Sequence, residues 1–151
     1  MKHKYRIYLD VFCLNRPLDD ATQDRIRLEA EAVLLTYRKC RLKQWALISS
    51  GAIEAEVQQI PSPQKKAQVM LALSIALSVV KLNDEIKKRA IELTQYGLKP
   101  FDATHVACAE AGKADVMLTT DDRLIKAASR AEKALLVSVK NPVSWLLEIE
   151  E

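Results

Sequence analysis

The sequence predicts an α/β fold built on a mainly parallel sheet of four or five strands. Short apolar runs of strand length alternate along the chain with segments whose apolar residues recur at helical spacing. This alternation is typical of parallel strands joined by right-handed helical crossovers. Acidic residues follow several of the apolar runs, at the positions where side chains from separate strands converge in such a sheet. The length of 151 residues suits one domain spanning 1–151.

The predicted elements follow from apolar periodicity and from the residues that interrupt it. Branched and aromatic runs predict strands, and apolar residues three and four positions apart predict helices. Strands are predicted at 6–12, 45–50, 116–120 and 135–139. Helices are predicted at 26–37, from about 51, at 64–78, from 83 or 84 to near 97, at 100–111, at 123–131 and from 142 onward. Residues 79–82 are expected to be a short extended connector.

Capping residues support several of these boundaries. Ser50 closes the second predicted strand and can cap the helix that follows. Gly97 is a residue favoured just beyond a helix end. Asn141 and Pro142 suit the cap and first position of a terminal helix.

Composition excludes several classes of protein. Apolar residues make up 49% and charged residues 28%, which is typical of a folded globular chain and not of a disordered one. The formal net charge of +3 is too small to indicate nucleic-acid binding by itself. The three cysteines are odd in number and lack paired metal-site spacing, so we expect reduced thiols and no zinc ribbon.

The sequence gives no sign of a membrane or export segment. The first residues are polar and basic and run directly into the first predicted strand. The longest uncharged stretch, 69–80, falls short of the roughly 18 apolar residues that indicate a spanning helix. We therefore expect a cytoplasmic protein without a membrane partner, in which 69–80 is a buried helix or an oligomer contact.

Four acidic residues are the strongest candidates for chemistry. Asp10 and Asp121 close apolar strands, Asp102 lies in the first turn of a helix, and Glu56 lies on the short helix after the second strand. The fold can gather them in one cleft, where their repulsion would have to be relieved by protonation or by a cation. All-oxygen ligation suits Mg2+ or Mn2+. The pattern favours metal-dependent phosphodiester chemistry.

Each of these residues also has a simpler interpretation. Asp10, Asp102 or Asp121 could serve only as helix caps, and Glu56 could simply be exposed, as glutamate usually is. Two neighbours are alternatives for the same roles, because Glu54 competes with Glu56 and Asp122 with Asp121.

The chain resembles the PIN domain family, which includes the VapC-type toxins, over nearly all of its 151 residues, and particular segments carry the resemblance. The most specific runs from Lys99 through Asp102 and a small-residue helix to Ala109, and is followed by an apolar strand ending in Thr119, Thr120 and Asp121. The runs 7–10 and 49–57 are similar to the first strand of the family and to the segment carrying its glutamate. The resemblance implies a PIN-like three-layer α/β/α sandwich.

The resemblance also implies a function. Asp10, Glu56, Asp102 and Asp121 would hold Mg2+ or Mn2+, and Thr119 would hold a ligand water or the substrate phosphate. The implied activity is a metal-dependent endoribonuclease that hydrolyses RNA and leaves a 5′-phosphate. The implied partners are a second copy of the chain in a homodimer and an antitoxin protein. Open alternatives are a stand-alone RNA-processing nuclease, a catalytically weak module that binds RNA or protein, and, less well matched, an aspartate-dependent phosphatase.

Basic residues near the predicted cleft are candidates for binding the substrate. Arg16, Arg123 and Lys126 are the nearest in sequence, although Arg16 could equally pair with Asp19 or Asp20. A second basic cluster, 38–43, lies at the end of the first long helix, where cations are favoured in any case. His105 follows Asp102 by one helical turn, and its apolar neighbours favour a structural role.

Overall fold

A computed structural model describes residues 3–150, and its centre is one five-stranded sheet. All four strand pairings are parallel, and the strand order is β3-β2-β1-β4-β5. The strands are β1 (Arg6–Leu9), β2 (Ala46–Ser50), β3 (Ser78–Val80), β4 (Val116–Leu118) and β5 (Ser138–Lys140). Strands β1, β2 and β4 form the buried centre, which is why they consist almost entirely of apolar residues.

Eight α-helices within residues 3–150 surround the sheet. They are α1 (Val11–Asn15), α2 (Asp24–Arg41), α3 (Gly51–Val57), α4 (Pro63–Leu73), α5 (Asp84–Thr94), α6 (Pro100–Ala111), α7 (Asp122–Arg130) and α8 (Pro142–Ile149). The crossover from β1 to β2 and the crossover from β3 to β4 run in opposite directions across the sheet. Because such crossovers are right-handed, α2 covers one face and α5 and α6 cover the other. The predicted α/β/α sandwich is confirmed.

Helix α6 packs very closely against the sheet. Its small residues are buried, and it ends at Gly112, where a Cβ atom would lie 2.7 Å from Ile48 Cγ2 and 2.9 Å from Val80 Cγ2. A larger residue at this position would push the helix away from β2 and β3. The close approach explains the run of alanines that the sequence shows after Asp102.

Several element boundaries differ from the prediction. Strand β1 ends at Leu9 because Asp10 caps a short helix, α1, in place of the expected strand end and loop. The expected connector at 79–82 contributes Val79 and Val80 to the edge strand β3, and the preceding helix α4 ends earlier than expected, at Leu73. The last strand begins at Ser138, after a 3-10 turn at Glu132–Ala134 and an exposed Leu136.

No helix within residues 3–150 has both the length and the apolar character required to cross a bilayer.

Candidate active site

The candidate site lies where β1 and β4 are neighbours. From these two strands the chain leaves in opposite directions, toward β2 and toward β5, which opens a crevice at their carboxyl ends. Asp10 directly follows β1, and its backbone N–H donates to the carbonyl oxygen of Leu118 at 3.2 Å. The residues after β4, through Asp121, therefore lie beside Asp10. This is the convergence that the sequence predicted.

Asp10 is a buried carboxylate at the base of the crevice. It is only 4% exposed, and its Oδ1 accepts a hydrogen bond from the Cys13 backbone N–H at 2.9 Å. Burial raises the pKa of Asp10 from 3.8 to about 6, although hydrogen bonds from Thr119 and Cys13 oppose this shift. The nearby charge of Glu56 raises the pKa further. Asp10 is thus both a helix cap and a member of a crowded acidic group.

Asp121 and Asp122 have different roles. Asp121 caps α7, with Oδ1 accepting from the backbone N–H groups of Arg123 at 3.0 Å and Leu124 at 3.4 Å. Asp122 is exposed, and Arg25 donates to both of its oxygens, at 2.8 and 2.7 Å, which lowers the pKa of Asp122. Since an arginine already neutralises Asp122, Asp121 is the better candidate ligand of the pair.

Thr119 connects Asp10 with Asp121. Its Oγ1 accepts a hydrogen bond from the Asp121 backbone N–H at 3.1 Å, and its hydroxyl lowers the pKa of Asp10. The residue is fully buried. Thr119 thus interacts with both Asp10 and Asp121.

Asp102 lies in the first turn of α6, in the wall of a cleft of about 700 Å³ that also contains Asp121. Burial raises the pKa of Asp102, and the charge of Asp121 raises it further. The opposing influences of His105 and Lys99 are smaller. The carboxylates of Asp102 and Asp121 therefore share one electrostatic environment.

Glu56, and not Glu54, faces this group. His105 Nε2 lies 3.0 Å from Glu56 Oε1, and the Glu56 side chain is 21% exposed. Glu54 is exposed and lines a separate groove of about 460 Å³ between α3 and α4. The structure thus supports Glu56 in the choice that the sequence left open.

His105 is buried, consistent with the expected structural role, and it also contacts the acidic group. Its Nδ1 lies 2.7 Å from the Tyr8 hydroxyl, which lies 2.7 Å from Ser50 Oγ. Sequence reasoning did not select Tyr8 or Ser50. The one available signal was a tyrosine placed in an otherwise aliphatic strand.

The predicted substrate-binding residues separate into three cases. Arg123 lines the cleft. Arg16 also lines it, but its guanidinium pairs with Asp19 at 3.1 Å, as the alternative interpretation held, and with the buried Glu29 at 2.9 Å. Lys126 is exposed on α7 and is not part of the cleft wall.

Two cleft residues were missed by the sequence analysis. Lys99, which directly precedes α6, and Phe12, which is 54% exposed, both line the cleft. The basic cluster at 38–43 lies at the carboxyl end of α2, beside the start of β2. That is the opposite edge of the sheet from the cleft.

The comparison with family models identifies this architecture. The model of the PIN domain matches residues 38–130, which is more than half of the chain. The chain belongs to the PIN domain family. Family membership indicates a nuclease, and the PIN-like sandwich described above agrees with it.

Solved structures share the PIN fold at low sequence identity. VapBC2 from Rickettsia felis, solved bound to a DNA fragment from its promoter, matches with a TM-score of 0.54 and 15% identity over 90% of this chain and 98% of that chain. VapC20 from Mycobacterium tuberculosis, described as a Sarcin-Ricin loop cleaving toxin, matches with a TM-score of 0.53 and 14% identity over 86% of this chain and 96% of that chain. PAE2754 from Pyrobaculum aerophilum matches with a TM-score of 0.50 and 17% identity over 95% of this chain and 87% of that chain. No curated protein matches the chain by sequence.

The PIN site has the ligand chemistry for a divalent metal. Its carboxylates are hard oxygen donors, and burial raises the pKa of Asp10 and Asp102 because it disfavours their ionised forms. Within residues 3–150, no three acidic, histidine or cysteine side chains form a ready coordination cluster. Asp10 and Asp121 instead cap helices and Glu56 binds His105. The carboxylate oxygens of this site are donors of the type that Mg2+ and Mn2+ prefer.

Proposed function

We propose that this PIN domain protein is a Mg2+- or Mn2+-dependent endoribonuclease that hydrolyses phosphodiester bonds in single-stranded or structured RNA. The proposal is supported chiefly by the placement of Asp10, Glu56, Asp102 and Asp121, which come from four separate elements and interact electrostatically with one another. Burial raises the pKa of Asp10 and of Asp102, and the nearby charges of Glu56 and Asp121 raise these pKa values further. A bound divalent cation would relieve the repulsion between these carboxylates. It would also supply the metal-ion chemistry that phosphodiester hydrolysis requires.

The proposed reaction is attack by water on phosphorus, with the P–O3′ bond breaking and O3′ leaving as a hydroxyl, so that the product carries a 5′-phosphate. A bound metal would activate the water and stabilise charge on the phosphate. Asp10, Glu56, Asp102 and Asp121 would hold the metal. Glu56 would orient the attacking water and accept its proton. Thr119 would fix the neighbouring aspartates or contact the phosphate.

We further propose that the protein is the toxin of a type II toxin-antitoxin pair, with an antitoxin protein as partner. The shared fold of the VapC toxins supports this, as does the family assignment. A homodimer is part of the same proposal. It is supported by exposed apolar residues in the uncharged stretch 69–80, among them Met70, Leu71 and Val79. The sedimentation mass of the purified protein tests the dimer directly.

Metal-dependent cleavage is the primary test of the proposed function. Purified protein and Asp102→Asn are incubated with single-stranded RNA and with tRNA, in Mg2+, in Mn2+ or in excess chelator. We expect cleavage by the parent only with metal. Asp102→Asn keeps the side-chain shape but weakens metal binding, so its rate should fall at least about 100-fold, beyond the loss typical of outer-shell residues.

The thermal transition of Asp102→Asn should stay close to that of the parent. Equal rates for the two proteins would remove Asp102 from the site. Cleavage in chelator would refute metal dependence, and tight RNA binding without cleavage would favour the binding-module alternative.

Arg123 and Lys126 offer a matched test of substrate binding. Both are exposed cations on α7, but only Arg123 lines the cleft. In the Asp102→Asn background, where RNA stays intact, Arg123→Ala should weaken RNA binding. It should also reduce the slope of log K against log salt by about 0.7, the value for one contact to a single-strand phosphate. Lys126→Ala should change neither quantity, as measured by fluorescence anisotropy. An equal effect of both variants would place the RNA outside the cleft.

A further inference from the structure

A buried chain of hydrogen bonds ends at the carboxylate of Glu56. Ser50 Oγ lies 2.7 Å from the Tyr8 hydroxyl, the hydroxyl lies 2.7 Å from His105 Nδ1, and His105 Nε2 lies 3.0 Å from Glu56 Oε1. Ser50, Tyr8 and His105 are each at most 3% exposed. Burying polar groups this deeply costs free energy unless each of them forms a hydrogen bond. Every member of such a network therefore needs a partner.

The direction of the protons along this chain follows from its ends. A carboxylate only accepts hydrogen bonds, so His105 Nε2 must carry the proton that is shared with Glu56. In the neutral ring Nδ1 is then an acceptor, and the Tyr8 hydroxyl donates to it. The Tyr8 oxygen can accept in turn from Ser50. The assignment leaves each group of the chain with a partner and fixes the Nε2–H tautomer.

The network joins the elements that carry the acidic group. Tyr8 lies in β1, two residues before Asp10, and His105 lies in α6, one turn after Asp102. Ser50 ends β2, and its Oγ also accepts from the Ile53 backbone N–H at 3.1 Å, which caps α3, the helix that carries Glu56. One connected set of bonds therefore fixes β1, α3 and α6 relative to one another.

The same network fixes the rotamer of Glu56. Glu54, on the same short helix and without this anchor, is an exposed side chain, whereas Glu56 is only 21% exposed. The Phe101 ring packs edge-on against the His105 ring at 4.9 Å between centroids and shields it. A glutamate has three rotatable bonds, and holding it in one orientation is what a metal ligand or a water-orienting base requires.

We infer that Tyr8 and His105 are positioning residues that hold the Glu56 carboxylate in the orientation needed for metal and water. The inference rests on the proposed function, because it assigns these residues a purpose within that site. Neither residue needs to touch the substrate. A packing role alone would be served equally well by an apolar pair, since Tyr8 and His105 lie among core residues.

Two substitutions at His105 separate positioning from packing. The amide nitrogen of Gln takes the place of Nε2, so His105→Gln keeps a donor for Glu56. The amide of Asn reaches only as far as Nδ1, so His105→Asn keeps a group near Tyr8 and loses Glu56. Both remove the ring. Tyr8→Phe removes only the hydroxyl that fixes the tautomer.

The first readout is Mn2+ binding by metal-free protein, followed by calorimetry. Loss of an outer-shell partner typically weakens metal binding about 10- to 100-fold. We expect His105→Asn to weaken it at least about 10-fold and His105→Gln to remain within about threefold of the parent. Tyr8→Phe should fall between them. Thermal transitions are measured alongside, because a packing role predicts that Mn2+ affinity follows stability and not the position of the donor.

The second readout is the tautomer of His105 in long-range 1H–15N spectra. The chain has two histidines, so His3 provides an internal control in the same spectrum. We expect a single Nε2–H tautomer for His105 in the parent and a mixture in Tyr8→Phe. Equal Mn2+ affinities for the Asn and Gln variants, or an Nδ1–H tautomer in the parent, would overturn the inference while leaving the nuclease proposal standing. A parent that neither binds Mn2+ nor cleaves RNA would overturn both.

Discussion

Replacing Asp10 with Asn is expected to abolish RNA cleavage and, in the same protein, to increase the free energy of unfolding. Activity should fall by about 1,000-fold, the upper range for removing one group that stabilises charge in a transition state. Stability should rise because Asp10 is a buried charge whose pKa stands at about 6 instead of 3.8. Asn keeps an oxygen that can accept from the Cys13 backbone N–H. The protein thus carries an unfavourable charge that its chemistry requires.

The gain in stability should depend on pH in a defined way. An acid whose pKa is raised by folding destabilises the folded state wherever it must ionise, which for Asp10 means fully above about pH 6. This penalty fades as pH falls from about 6 toward 3.8, because the buried carboxyl then holds a proton. The advantage of Asp10→Asn should therefore be about 2 to 3 kcal/mol at pH 7.5, or roughly 5–10 °C in thermal midpoint. Below pH 4 it should vanish.

Chemical denaturation in chelator measures this difference without interference from metal. Asp24→Asn is a suitable control, because its side chain is 83% exposed. Added Mn2+ should reverse the order, since the parent gains binding energy that Asp10→Asn lacks. A variant less stable than the parent at pH 7.5 in chelator would show that Asp10 is chiefly a helix cap.

Much of this site could be predicted from sequence because its aspartates are tied to strand ends. Asp10 directly follows the buried strand β1 and Asp121 comes shortly after the buried strand β4, and parallel strands bring their carboxyl ends together whatever lies between them. The choice between Glu54 and Glu56 could not be made in this way. It depends on how a seven-residue helix is rotated, and that rotation is set by contacts to α6.

Other features depend on partners far apart in the chain. The Tyr8 hydroxyl forms hydrogen bonds with Ser50 and His105, which lie 42 and 97 positions away in the sequence. No local sequence pattern therefore reveals the role of Tyr8. Strand β3 has only three residues at a sheet edge, too few for an alternating pattern to develop. Arg16 lines the cleft, but it also pairs with Glu29, a buried residue of α2 that the sequence analysis did not single out.

Glu29 is the residue whose loss should destabilise the fold most among the charged groups near the cleft. Its side chain is 2% exposed, and its oxygens contact Arg16 at 2.9 Å, Arg25 at 3.1 Å and the Asn141 amide at 2.7 Å. The Arg16 contact has the distance of an ion pair but not the direction of a hydrogen bond. Asn141 caps α8, and Arg25 also binds Asp122 at the start of α7. A single carboxylate therefore joins α2 to the two helices that flank β5.

Glu29→Ala should lower the free energy of unfolding by about 3 kcal/mol, because breaking a buried ion pair leaves its partners without compensation. The corresponding fall in thermal midpoint is roughly 6–12 °C. Glu29→Gln should cost less, since its amide oxygen can still accept from Asn141 while the two arginines lose their counter-charge. Glu31→Ala, at an exposed position of the same helix, is the matched control and should change stability by less than about 0.5 kcal/mol.

The free energies of unfolding of Glu29→Ala, Glu29→Gln and Glu31→Ala together show how Glu29 stabilises the fold. If Ala and Gln are equally damaging, charge compensation of the arginines dominates. If Gln is nearly neutral, the hydrogen bond that fixes the α8 cap dominates. A Glu29→Ala protein as stable as Glu31→Ala would show that the arginines rehydrate freely. In that case apolar packing alone would hold α2 against α7 and α8.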